Sequence, residues 1–437
     1  MKRRSFIGKT MAAGALAGFP SIIPSAVLGR NGDVAPSNKA AIGLIACGNR
    51  AGVAIDYKRY NKSEVVAVCD PIRERRLEKK KIYGNCSDYT DFRDLLARDD
   101  IDAVHISTAD HWHVPISLYA AKAGKDMYTE KPLGISIAQD LKARDIADKY
   151  GRVFQYGAQQ RSQTPVRLGI ELVLNGHIGD VTDVYVWAPK GESGGVCNPI
   201  SVPKGYDYDL WLGPAPQAPF CRDRCLVQGP RNAIFHIYDY AIGFIAGWGA
   251  HPMDMLQWWI DNSDIKEKIP VRYEGKGTIP TDGLFNTVTH WDVEGVYANG
   301  IKFHFMDNET ANRKSPHPAV KGGHGTAFVG TEGWVMTKRG GWETSSAALR
   351  QKARNPGPKK LKVSKNQRQN LVDCVLSREE PVDNLHSAVL SDVATHLSEI
   401  AVRSGKVVEW DNEKETITNK DLQKYMHRDM RDPWKLV

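Results

Sequence analysis

A chain of 437 residues that is 41% hydrophobic, 9% aromatic and 25% charged has the make-up of a globular protein with room for two ordinary cores. Global disorder is excluded. The formal charge of +8 falls to about +4 once Lys2, Arg3, Arg4 and Lys9 are set aside as part of a removable leader, too small a surplus to argue for nucleic acid.

The leader is the first element in chain order. Residues 1–30 contain "KRRSFIGKT", with twin arginines ahead of Phe6 and Ile7, and no charge follows from Thr10 to Gly29. Gly and Ala dominate, and Pro20 and Pro24 interrupt. The stretch is too weakly apolar for the ~20 residues of a membrane span, so no stable membrane anchor is expected. It resembles a twin-arginine export signal, whose cargo crosses the membrane folded, and implies a periplasmic destination.

Residues 31–39 read as a short polar linker. From 40 to 158, apolar strands alternate with helices: "AAIGLIAC", "SEVVAVCD", "IDAVHIST", "KDMYTEKPL" and "RVFQYGAQ" around "PIRERRLEKKKIYG", "HVPISLYAAKAG" and "SIAQDLKARDIADKYG". That alternation predicts a parallel, doubly wound α/β sheet with right-handed crossovers, a Rossmann-type domain. Over 159–437 the texture changes. Runs with period-two character, such as "DVTDVYVWAP" and "GTAFVGTEGWVMTK", predict an α+β domain on a mostly antiparallel open sheet. Residues 190–240, rich in Pro, Gly and Cys, read as a loop-rich insertion, and loops of that length are usually functional. Any of Cys197, Cys221 and Cys225 is available for a disulfide in an oxidising compartment. No Cys or His cluster has zinc spacing, so no metal is expected.

The first strand leads into "IGLIACGNRAG". Against the G-x-G-x-x-G pattern that brings backbone close to a pyrophosphate, only Gly48 matches, with Ala46 and Ala51 at the outer positions. The context is stronger than the motif. A buried strand precedes this turn, a helix follows Asn49 and Arg50, and Asp70 ends the next strand, where an acid takes the adenosine ribose hydroxyls. Asp70 favours NAD, while Arg73 nearby keeps NADP open.

Two longer stretches carry a resemblance. "VHISTADHWHVPISLYAAKAGKDMYTEKPLG" is similar to the signature of the glucose–fructose oxidoreductase / inositol dehydrogenase family, Gfo/Idh/MocA, and "YDYAIGFIAGWGAHPMDMLQWWI" to its substrate-side helix. The closing "VRSGKVVEWD" and "MRDPWKLV" resemble bacterial exported members. The resemblance implies that Thr108 and His113 line the nicotinamide side and that Glu130, Lys131 and a cis Pro132 close the neighbouring strand. It also implies oxidation of a sugar, polyol or glycoside hydroxyl by bound NAD(P), in a homo-oligomer, dimer or tetramer. Lys131 is the expected hydroxyl-facing ammonium and His251, at a helix entrance, the proton acceptor. Tyr156, Gln159 and Arg161, from "QYGAQQR", with Tyr238, Asp239 and Asp254, are candidates for the substrate side. One departure stands out: related dehydrogenases carry an aspartate four residues before the histidine, and here that position is Gly247. His236, Tyr238 or Asp239 are the candidates to replace it. Two other functions fit the same residues: a glycoside hydrolase working by transient sugar oxidation, which returns NAD unchanged, and a non-catalytic cofactor- or sugar-binding protein.

Overall fold

A computed structural model describes residues 34–35, 38–227, 232–315 and 317–436. The leader at 1–30, and with it the twin-arginine reading, lies outside the described residues. The first sheet is fully parallel in the order β3-β2-β1-β4-β5-β6. Its strands are β1 (Ala40–Ile45), β2 (Ser63–Cys69), β3 (Ser87–Tyr89), β4 (Ala103–Ile106), β5 (Asp126–Thr129) and β6 (Phe154–Tyr156). β1 is buried along its whole length, as a strand covered by helices on both faces must be. Gly43 within it is required by packing, because a Cβ there would meet Leu95 Cδ2 at 2.7 Å.

The crossover helices are α1 (Arg73–Tyr83), α2 (Asp110–Lys122) and α3 (Ile137–Tyr150). α3 is delimited by its ends: Ser136 accepts from the Gln139 amide at the start, and Gly151 takes a left-handed conformation at the stop. The strand order reverses between β1 and β4, and the crevice outside the carboxyl ends of these strands is where doubly wound sheets bind ligands.

After α4 (Thr164–Leu174), β7 (Val181–Ala188) opens the second sheet, and α5 (Ala250–Asn262) follows the insertion. The remaining strands are β8 (Arg272–Thr278), β9 (His290–Val296), β10 (Lys302–Asp307), β11 (Gly325–Gly330), β12 (Gly333–Lys338), β13 (Gly341–Thr344), β14 (Val408–Asp411) and β15 (Thr416–Ile417). Their order is β13-β12-β11-β7-β10-β9-β8-β14-β15, antiparallel except that β7 and β10 pair in parallel. The sheet is therefore mixed but mostly antiparallel.

Two late helices tie the halves together. α6 (Gln367–Ser377) returns to the first sheet, where Leu371 and Val375 join the cluster containing Ile42, Leu44 and Val68. The segment 159–437 thus contributes a helix to the core of the domain before it. α7 (Leu385–Ser404), twenty residues long, carries Asp392, which accepts from the Leu133 amide and from the Tyr156 hydroxyl at 2.8 Å. The segment just after Lys131 is thereby fixed to the second domain.

The insertion crosses to the first domain. Arg73 N donates to Gly205 O at 2.8 Å, Asp207 N to Pro71 O at 3.0 Å, and Trp112 Nε1 to Trp211 O at 3.3 Å. Of the three candidate cysteines, Cys197 and Cys221 form a disulfide and Cys225 is a buried free thiol.

Candidate active site

At the switch point lies a cavity of about 520 Å³. Gly48, Asn49, Arg50 and Asp70 line one part of it, and Thr108, His113, Glu130 and Lys131 another. All eight residues expected on the cofactor side are thus brought to one space. Gly48 is extended just before the first helical turn, and a Cβ on it would approach nothing closer than Arg75 Nη1 at 3.7 Å. Asp70 is 3% exposed and accepts from Cys47 N at 2.7 Å and Ile72 N at 2.8 Å. Burial raises its pKa against those two bonds and the charge of Arg75, so the carboxylate is placed rigidly at the cavity wall. It is Arg75, rather than Arg73, that lines the cavity, while the Arg73 backbone is taken up by Gly205. The open glycine turn and the fixed acid at the next strand's end fit a dinucleotide, and the buried Thr108 Oγ1 has no hydrogen-bond partner among the described residues.

His113 braces the other end. Its two ring nitrogens face Pro132 O at 2.7 Å and Thr108 O at 3.2 Å, joining the loops after β4 and β5. Desolvation brings its pKa down to about 4, so at neutral pH the ring is uncharged and donates to one carbonyl only. The Lys131–Pro132 peptide is cis, as the resemblance implies. Glu130 pairs with Arg50 at 2.7 Å. Lys131 donates to the carbonyl of Gly247, so the backbone at the position of the absent aspartate holds the ammonium. Burial lowers the Lys131 pKa, and the carboxylates of Asp110 and Glu130 oppose that shift. Asp110 sits at the start of α2, 3% exposed, with one oxygen lacking a hydrogen-bond partner among the described residues.

Several sequence expectations need correction. His251 stands at the entrance of α5, as its second residue, but is 5% exposed; its neighbour Trp248, at a ring distance of 5.8 Å, lines the cavity, and His251 does not. Burial, then the charges of Lys131 and Arg339, hold it well below the usual histidine pKa, and its Nδ1 has no hydrogen-bond partner among the described residues. Arg161 and Asp254 face each other rather than the cavity, with Nε to the two carboxylate oxygens at 2.9 and 3.0 Å, and Asp383 is 3.4 Å away. A guanidinium buried this deeply requires such a partner, and that pairing consumes both residues. Tyr156 is spent on Asp392. Gln159 is not on the cavity wall; it lies beside Arg50, which is. Tyr238 is sandwiched between Arg403 and Arg428, at 3.6 and 3.4 Å from its ring centre, and with Asp239 lines a separate cavity of about 220 Å³. His236 packs on Phe244 and Phe285.

Sequence reasoning placed Asp110 in the segment lining the nicotinamide side but gave it no role of its own, and it missed Arg75, Trp248, Trp211 and Phe235, all likewise on the cavity wall. Asp110 and Trp248 stood inside the two quoted stretches; Trp211 and Phe235 had no signal beyond the length of their insertion. It also missed a buried cluster behind the Lys131 loop. Asp140, Asp392 and His396 have donor atoms within 4.8 Å of one another, including a His396 Nε2 to Asp140 distance of 3.1 Å. Burial raises Asp392 to about 7 and lowers His396 to about 4, and no sequence spacing links α3 to α7.

Comparison with known proteins gives the same architecture. Residues 40–158 match the NAD-binding Rossmann fold, and residues 170–436 the C-terminal alpha/beta domain, of the GFO_IDH_MocA oxidoreductase family. An uncharacterized oxidoreductase of Rhizobium meliloti is 30% identical over 158 residues, 35% of this chain and 46% of that one. Inositol 2-dehydrogenase of Salmonella paratyphi B is 33% identical over 124 residues, 28% of this chain and 37% of that one. A glycosyl hydrolase family 109 protein of Shewanella baltica is 28% identical over 145 residues, 30% and 31% of the two chains. The chain thus spans less than half the length of the curated relatives it matches. The crystal structure of the WlbA dehydrogenase from Bordetella pertussis in complex with NADH and UDP-GlcNAcA superposes with a TM-score of 0.61 over 85% of this chain and 99% of that one, at 15% identity. With an NAD-binding Rossmann domain, a mostly antiparallel second sheet and two family domains over most of its length, the chain belongs to the Gfo/Idh/MocA oxidoreductase family.

Proposed function

We propose that the protein oxidises a carbohydrate hydroxyl, on a sugar, polyol or glycoside, with tightly held NAD as the acceptor. The observation that carries this reading is Lys131: a partly buried ammonium on the wall of the dinucleotide cavity, lowered in pKa and held by Gly247 O beside Asp110. Bound in the cavity, NAD supplies the two-electron acceptance, and Asp70, the Gly48 turn and Thr108 are the residues that would hold it. Lys131 then hydrogen-bonds the reacting hydroxyl and takes its proton. Desolvation raises the neutral fraction of the amine needed for that step, and Asp110 stabilises the ammonium that results. His251, expected as the proton acceptor, is held neutral behind Trp248 by burial and by the charges of Lys131 and Arg339, so the proton is assigned to Lys131 instead.

The same oxidation, followed by elimination of the leaving alcohol, addition of water and re-reduction of the sugar, would cleave a glycoside without net redox. The family 109 relative favours keeping that reading second. Purified protein is to be assayed for bound nucleotide, then incubated with free sugars and with aryl glycosides. Reduced nicotinamide from a free sugar supports the dehydrogenase, and sugar release without it supports the hydrolase. Absence of both, with no bound nucleotide, rejects catalysis and leaves the binding-protein alternative. Export to the periplasm belongs to the proposal as well, supported by the twin arginines and by the Cys197–Cys221 disulfide, which persists in oxidising compartments. So does a homo-oligomer, dimer or tetramer, to be read by light scattering.

A further inference from the structure

Behind the Lys131 loop, where α3 meets α7, three titratable side chains take no part in the proposed reaction. Asp140 comes from α3, while Asp392 and His396 lie one turn apart on the same face of α7. They are 0%, 1% and 4% exposed, and none of them lines the cavity. One donor atom from each, a carboxylate oxygen from either aspartate and a ring nitrogen from His396, falls within 4.8 Å of the other two.

The polar groups of this cluster do not satisfy one another. Asp392 has its partners, the Leu133 amide and the Tyr156 hydroxyl. Both Asp140 oxygens and His396 Nε2 are buried with no aligned hydrogen-bond partner among the described residues. His396 Nε2 and an Asp140 oxygen are 3.1 Å apart, yet their directions miss each other, so a shared proton does not account for the contact. No lysine or arginine is paired with either carboxylate among the described residues. Arg428, whose charge reaches His396, is stacked on Tyr238. Two buried carboxylates thus converge on an imidazole that burial keeps neutral. Such a set is costly unless a proton or a cation fills it. A proton serves one pair of atoms, and here that pair is misaligned, whereas a cation answers all three donors.

We propose that Asp140, Asp392 and His396 bind one zinc ion in a buried site between α3 and α7. Two carboxylate oxygens and one imidazole nitrogen suit zinc at about 2.0–2.2 Å, and the two carboxylates balance its charge. Calcium, which takes six to eight oxygens, is a poor match for a set this small. Neighbouring donors on a tetrahedral ion are about 3.4 Å apart, so His396 and Asp140 already have the spacing and Asp392 has to close in. The ion holds structure rather than substrate. Through Asp392 it fixes the Leu133 amide, and the loop after Lys131 rests directly on the site, since a Cβ on Gly134 would meet Asp140 Oδ1 at 2.5 Å. The inference is independent of the carbohydrate reading.

The full chain is to be produced in zinc-supplemented medium and purified without metal-affinity chromatography, as the natural protein, Asp140→Asn and His396→Gln. Elemental analysis gives the zinc content, and competition with a chelating dye gives the affinity. The natural chain should hold about one zinc. Each variant should bind it more than about a hundredfold more weakly, beyond what loss of an outer partner costs. Circular dichroism shows whether the variants are folded. Folded variants that keep the natural zinc affinity overturn the proposal. Anomalous diffraction at the zinc edge tests the natural chain without any substitution, and decides the matter if a variant does not fold. A peak between Asp140 and His396 is the expected result. Zinc bound only elsewhere, or none at saturating zinc, overturns it.

Discussion

At the scale of single residues, Lys131 and Gly247 make one unit. Lys131→Met keeps the aliphatic stem and removes the amine, so nucleotide should stay bound while turnover falls about a thousandfold, checked by nucleotide content and initial rates. Gly247 has space for a side chain, since the nearest atom to an added Cβ is Phe244 Cδ1 at 3.9 Å. Gly247→Asp should therefore fold with stability within about 1 kcal/mol of the natural chain. A carboxylate beside Lys131 favours the ammonium, so the alkaline-going limb of the rate profile should move to higher pH. His251 gives a stability prediction with a definite sign. Its folded pKa lies well below 6.5, so below that pH the unfolded chain binds a proton that the folded chain refuses. Stability is then lost at about 1.4 kcal/mol per pH unit from this group. In His251→Gln the loss is absent, and denaturant unfolding at pH 7.5 and 5.0 should show the variant gaining stability relative to the natural chain as the pH falls. These roles follow from burial and through-space neighbours. The resemblance that put Lys131 beside the cofactor side had no means of showing that Arg161 and Asp254, from separate segments, would neutralise each other.

Among the elements, α7 has the clearest consequence for the site. Asp392→Ala leaves the Leu133 amide and the Tyr156 hydroxyl without their acceptor in the interior, at a cost of about 2–4 kcal/mol. Asp392→Asn restores the shape and part of the bonding. Chemical denaturation measures the first effect. A fall in kcat with little change in KM, larger for Ala than for Asn, would show that the anchor also aims Lys131. Elements as such were readable beforehand, because continuous apolar runs and helical periodicity are local properties: β1, β2, β4, α2 and α3 all fall where the pattern puts them. Packing partners were not. Nothing local in "QRQNLVDCVLS" says that α6 leaves its own half of the chain to cover β1.

For the whole molecule, the plan of two sheets was legible because strand–helix alternation and period-two runs each impose a sheet type, whereas the path of the insertion was not. That path crosses between domains on contacts made by loops without a period. Its segment 205–212 is bonded to Pro71, Arg73 and Trp112 on one side of the cavity, and its Trp211 and Phe235 form part of the wall. Replacing both Cys197 and Cys221 by Ser removes the covalent tie within this segment and should raise the rate of nucleotide release, followed by the decay of bound-cofactor fluorescence after dilution, while leaving the secondary structure unchanged. The seam has a further consequence for amide hydrogens. Arg73 N and Asp207 N are shielded only as long as the insertion lies against the first domain. If nucleotide leaves through that seam, its departure and deuterium uptake at these two amides are the same opening event seen by different probes. Their rates should then rise and fall together across temperature and denaturant.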